Sequence, residues 1–216
     1  MGRPSLAAER REQILDAVTR CVGYFGMEGT TLERVAEASG FSRGHIRHYL
    51  GNREQMLAEF QNRLTSRYIE GMQEIVKTGE PGRTDALVAY LFGRQWAPGP
   101  DSAAINALMW AAGRNEPVRA HLRTSYLTME GILAKALRAD YPHATAAECS
   151  ASAYTLLCLA FAHSSLQELS FPAARQRLIS ETTSKLLASL AAEAPDARLP
   201  SPRRPPRPDR RFPSVT

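Results

Sequence analysis

The chain has 216 residues, enough for one large or two small domains, and 44% are hydrophobic, so a core can be buried. Three cysteines, Cys21, Cys149 and Cys158, show no CxxC spacing, which excludes a disulfide framework and points to a reducing compartment, the cytoplasm. Of the net charge of +5, +4 falls in residues 195–216, so bulk charge says little and its placement must decide.

The opening MGRPSLAAERREQ has no apolar run, so no signal peptide is expected. Ile14, Leu15, Val18, Cys21, Val22 and Phe25 then recur at helical spacing, and Gly26 stops the stripe. Thr30-Thr31-Leu32-Glu33 restarts a short helix, with a capping box expected between Thr30 and Glu33, and Ser39-Gly40 ends it. Ser42 caps a third helix that ends near Leu50-Gly51. Asn52, with Gln55 three residues on, opens a fourth that reaches about residue 75.

Helix, glycine turn, helix is the outline of a helix-turn-helix. Projected at about 100° per residue, Ile46 and Leu50 form the buried stripe of the third helix. Gly44, His45 and His48 lie opposite, with Arg47 and Tyr49 on the flanks. That surface suits a duplex. Arg43 and Arg47 match guanine O6 and N7, His45 matches a base edge, and Gly44 permits close approach. Ser42, Thr31, Tyr49 and Arg53 suit phosphates. His45 and His48 have no carboxylate or thiol on the same face to complete a metal site, and no catalytic set can be assembled. No metal, no cofactor and no enzymatic role are expected.

The string RREQILDAVTRCVGYFGMEGTTLERVAEASGFSRGHIRHYLGNREQMLAEF, residues 10–60, resembles the DNA-binding domain of the tetracycline-repressor (TetR) family of bacterial transcriptional regulators. The resemblance rests on the Gly-x-x-Thr-Thr entry, the Val-Ala-x-x-Ser-Gly-Phe-Ser turn and the Asn-Arg-Glu-x-x-Leu exit, in order. It implies base contacts from Arg43, Gly44, His45 and Arg47. It implies phosphate contacts from Thr31, Ser42, His48, Tyr49 and Arg53. Two positions depart from the family. Residue 47, commonly aromatic, is Arg, and residue 50, commonly Phe, is Leu. Arg47 suits either a guanine or a phosphate.

Beyond the head, turn signals at 79–82 and 98–100 separate helices expected at about 84–96, 102–113, 117–139, 145–169 and 172–192. The resemblance implies that they form an effector-binding and dimerisation domain. Bulky Phe92, Trp96, Met109, Trp110, Tyr126 and Met129, with Tyr154 and Phe161, are candidates for pocket walls. Asn106, Glu130 and His163 are candidates for orienting a small molecule. The helix at 145–169 is apolar on nearly every side, and the last helix offers a seam of Ile179, Thr183, Leu186 and Leu190. Those four, with Leu157 and Phe161, are the expected homodimer interface. The longest nearly apolar stretch, 151–162, is too short to span a bilayer, so no membrane partner is expected.

The expected fold is all-α: a three-helix DNA-binding head at 1–51, a helical body at 52–193, and a disordered Arg/Pro-rich tail at 194–216 with half of the 14 prolines. The expected function is a homodimeric repressor that leaves a palindromic double-stranded operator when a small effector binds. An activator of the same fold, a helical enzyme, and an interaction module working through the tail are the alternatives.

Overall fold

The computed structural model describes residues 6–77, 82–93, 99–167, 169–171 and 174–191. Among them are nine helices and no strand. The expected tail and Trp96 lie outside the described residues.

Helix α1 (Leu6–Gly29) buries Ile14, Leu15, Val18, Cys21 and Val22, the predicted stripe. Its break is at Gly26, whose φ of 71° is left-handed, and the buried Thr30 hydroxyl donates to the Gly26 carbonyl at 2.8 Å. Helix α2 (Leu32–Ser39) is therefore capped by Thr31, not Thr30: the Thr31 hydroxyl accepts from the Arg34 amide. Thr30 is unavailable for capping because its hydroxyl closes the preceding turn. Gly40, at φ 73°, ends α2 and returns its N–H to the Ala36 carbonyl.

Helix α3 (Arg43–Leu50) is capped by Ser42 and closed by Gly51 at φ 76°. Helix α4 (Arg53–Lys77) opens on the predicted reciprocal cap: the Gln55 side chain accepts from the Asn52 amide at 2.8 Å and the Asn52 side chain from the Gln55 amide at 2.9 Å. Its inner face, Met56, Leu57, Phe60, Leu64, Tyr68 and Met72, runs from the short helices into the body.

The body comprises α5 (Arg83–Leu91), α6 (Pro100–Ala112), α7 (Glu116–Asp140), α8 (Ala146–Gln167) and α9 (Ala174–Ala191). Asp140, at the end of α7, accepts from the Thr84 amide at 2.8 Å and so caps α5 from another helix. Asn115 caps α7, and Thr145 with Glu148 caps α8. Helix α8 has the length and apolarity of a membrane span, 22 residues at a mean hydropathy of 1.2. It lies instead against α7 and α9, with Cys149, Ser152, Ala153, Leu156, Leu157, Ala160 and Ser164 buried.

Head and body share one core, from Ile14 to Leu190. The closest approach is between α1 and α6: a Cβ placed on Gly23 would lie 3.0 Å from the Ala103 Cβ and 3.4 Å from the Ala104 nitrogen. Arg63 of α4 pairs with Glu12 and Asp16 of α1, and Arg67 of α4 with Asp101 of α6 at 3.1 Å.

Candidate functional site

The outer face of α3 is built as the sequence implies. Ile46 and Leu50 are buried at 0% and 4% exposure, while Arg43, Gly44, His45, Arg47 and His48 are exposed and Tyr49 is half-buried. Ser42 holds the first turn: its hydroxyl accepts from the His45 amide at 3.2 Å and shares a hydrogen bond with His45 Nδ1 at 3.1 Å. The His48 ring packs edge-on to Tyr49 at 5.1 Å. A Cβ on Gly44 would meet only the Ser42 hydroxyl, at 3.7 Å, so nothing inside the protein requires glycine there. Glu33 of α2 holds the Arg43 Nε at 3.0 Å.

Arg53 is placed otherwise. Its Nε–H donates to the Thr30 carbonyl at 2.7 Å and its Nη2 to the Met27 and Glu28 carbonyls at 2.6 and 3.0 Å. These donors serve the turn between α1 and α2, where unpaired carbonyls would otherwise face outward, and leave the Nη1 donors for the expected phosphate contact. Arg53 thereby positions Thr31 and is a residue of the head's architecture.

This head matches the family of bacterial regulatory proteins called tetR over residues 14–60. Over this head the chain is similar to the TetR family. Over 64 residues it is 36% identical to the transcriptional repressor AcnR of Corynebacterium efficiens, an alignment covering 30% of this chain and 34% of that one. The chain thus spans about a third of the length of the curated relatives it matches. The TetR-family fold continues through the body. A TetR transcription regulator from Haloarcula marismortui superposes with a TM-score of 0.69 at 17% identity, covering 84% of this chain and 97% of that one. FadR of Bacillus subtilis, in complex with stearoyl-CoA, superposes with a TM-score of 0.59 at 14% identity, covering 85% and 98%.

In the body, a cavity of about 310 Å³ opens between α6, α7 and α8. The predicted Met109, Tyr126, Glu130, Tyr154 and Phe161 all line it. Arg123, Leu127, Leu157 and Cys158 line it too and were missed as pocket residues. The signal was present in the spacing: 123, 126, 127 and 130 share one face of α7. Burial pushes the Tyr126 phenol up to about 12.

The other predicted pocket residues lie elsewhere. Phe92 and His163 meet at 6.0 Å, and separately Asn106 of α6 accepts from the Ser165 hydroxyl of α8 at 2.7 Å. Burial lowers the His163 imidazole below its ordinary value, which favours the neutral ring. Met129 is 4% exposed and serves the core. Trp110 is 72% exposed under the Arg114 guanidinium, 5.0 Å from its ring, and is not part of this cavity's lining.

Of the predicted dimer residues, Leu157, Thr183 and Leu190 are buried within the protomer. Ile179, Leu186 and Phe161 are half-buried. Helix α9 packs on α8 of the same chain through the buried part of its seam, and Ile179 and Leu186 keep exposed area. Among the described residues α8 leaves an apolar face uncovered: Ala151, Thr155, Cys158, Ala162 and Leu166, flanked by Tyr154 at 62% exposure.

Proposed function

We propose that the protein is a cytoplasmic transcriptional repressor that binds a palindromic double-stranded operator as a homodimer and leaves it when a small molecule occupies the body. The observation that carries the reading is the α3 surface, where Ile46 and Leu50 are inward and Arg43, Gly44, His45, Arg47 and His48 outward. A helix so oriented after a glycine turn offers a side-chain donor set and a bare backbone to a major groove. Arg43, Gly44, His45 and Arg47 contact bases, and Thr31, Ser42, His48 and Tyr49 contact phosphates. Residues 1–51 read the operator, and 52–193 sense and dimerise. Repression is proposed by analogy with the repressor AcnR, and no enzymatic step is assigned.

The effector site is the cavity between α6, α7 and α8, whose lining suits an apolar molecule oriented by Glu130 or Arg123. Helix α6 carries Met109 at the cavity and Ala103 against Gly23 of α1, about 9 Å apart along the helix. It therefore joins α4 in connecting the cavity to the head. An effector acts only through its differential affinity for the two arrangements of the heads.

The second copy sits on the uncovered face of α8, because an exposed apolar face of that extent needs cover and the head needs a twofold partner to grip two half-sites. The test is selection of genomic fragments by the purified full-length protein at moderate salt. A shared palindrome with half-sites about one helical turn apart is expected. Fragments with no common sequence overturn the reading.

A further inference from the structure

Glu33 belongs to the first turn of α2, yet its carboxylate meets the recognition helix, with Oε1 3.0 Å from Arg43 Nε. Both side chains are more than half exposed, so burial does not hold the pair together. The carboxylate is fixed from its own side as well. Its own amide and the Thr31 hydroxyl, ahead of Arg43 and Arg47, hold it below the usual carboxylate range. It is anionic at neutral pH and anchored before Arg43 arrives.

An arginine presents two hydrogen-bonding edges, one formed by Nε and an Nη, the other by the two Nη atoms. Engaging Nε with a carboxylate uses the first edge and leaves the Nη pair, whose parallel donors match guanine O6 and N7. It also fixes the plane of the guanidinium, which is otherwise free to swing on a flexible stem. A carboxylate beside a phosphate-facing surface costs blanket affinity for DNA, since it repels the same polyanion that Arg43 attracts. Residues 1–60 already balance eight arginines with eight acids, so this head is not organised for blanket attraction.

We propose that Glu33 is a positioning residue for base reading: it aims the Arg43 Nη edge at a guanine and so sets specificity at one base pair of each half-site. The proposal rests on the reading of α3 as a duplex-binding helix. Its bland counterpart is a solvated ion pair that DNA simply breaks.

The experiment uses the full-length wild type, Glu33→Gln, Arg43→Ala and the double variant. Each is titrated with the wild-type-selected duplex, with versions altered at one base pair at a time, and with random duplex. Glu33→Gln is expected to lose roughly tenfold discrimination at one base pair, the same pair at which Arg43→Ala loses it. Random-duplex affinity stays constant or rises, and the double variant loses nothing further at that pair. Melting temperatures of the four proteins confirm that each is folded. The proposal is overturned if Glu33→Gln tightens every duplex equally with base preference intact. It is also overturned if the two variants act at different base pairs, which would make Glu33 a reader in its own right. A wild type that selects no sequence removes the underlying reading of the head instead, and the proposal with it.

Discussion

Arg53 reaches back 23 residues to donate its Nε–H to the Thr30 carbonyl at 2.7 Å, and its Nη2 serves the Met27 and Glu28 carbonyls beside it. One guanidinium thus ties the start of α4 to the turn that launches α2. Arg53→Ala should cost about 2 kcal/mol, since charged donors leave three carbonyls without their partner. The melting temperature should fall by roughly 4–8 °C for a chain of this size. The salt dependence of DNA binding should keep its slope. A slope lowered by about one unit per subunit would show that Arg53 contacts a phosphate as well.

Gly44 separates stability from binding in the opposite sense. Its added Cβ would meet only the Ser42 hydroxyl at an ordinary 3.7 Å, and the residue lies in the first turn of α3. Gly44→Ala should therefore leave the fold intact or stabilise it by about 0.5–1 kcal/mol. The methyl group would face the groove, and operator affinity should drop at least roughly tenfold, about 1.4 kcal/mol. Wild-type affinity in a folded Gly44→Ala protein would remove α3 from the interface.

The α3 surface was legible in the sequence because it is a local property: 3.6-residue periodicity alone puts Ile46 and Leu50 inside. Caps with both partners within three residues, such as Asn52 with Gln55, were legible for the same reason. Arg53 was not, since its acceptors lie 23 to 26 residues away and only the folded turn brings them to it. The pocket was half legible. Bulk placed Met109 and Trp110 together, but neither bulk nor period says which neighbouring helix covers a face, and Trp110 proves to face outward. The seam on α9 was ambiguous in the sequence because a four-and-three spacing describes packing on any helix, and α8 of the same chain meets part of it.

Gly23 is where α1 tolerates no side chain. A Cβ there would lie 3.0 Å from the Ala103 Cβ and 3.4 Å from the Pro100 carbonyl oxygen, and neither α6 backbone nor a methyl can move aside as a flexible chain would. Gly23→Leu should push α1 off α6 at a cost of about 1–3 kcal/mol. Thermal melting checks this directly. An unchanged melting temperature would mean that the head and α6 are not held in register by this contact.

Tyr126 gives the fold an alkaline limit. Burial raises its phenol from 10.0 to about 12, with the Cys158 thiol as a smaller cause. Between these values the unfolded chain has lost the proton and the native state has kept it, so stability falls as pH rises above 10. The loss from this group approaches roughly 2–3 kcal/mol near pH 12 and is absent below pH 9. Tyr68 is pushed in the same direction by burial and adds to the effect. Urea midpoints measured from pH 8 to 11.5 should decline more gently in Tyr126→Phe than in the wild type. Parallel curves would show that Tyr126 is open to water.

The uncovered face of α8 makes the last test. Ala151, Thr155, Cys158, Ala162 and Leu166 recur at steps of four and three and are all exposed, although the helix is apolar enough to cross a bilayer by composition. A second copy crossing there brings two small-residue stripes together, and Ala162 lies within that stripe with no role in the protomer's own core. Ala162→Glu would bury a carboxylate from each copy opposite its twin, which no nearby basic group on the stripe offsets. Sedimentation should then show a monomer with an unchanged helical spectrum, because the head and core are untouched. Operator affinity should fall at least roughly a hundredfold, since each head would have to bind its half-site without the other's help. A folded Ala162→Glu dimer with full operator affinity would place the twofold contact on another face.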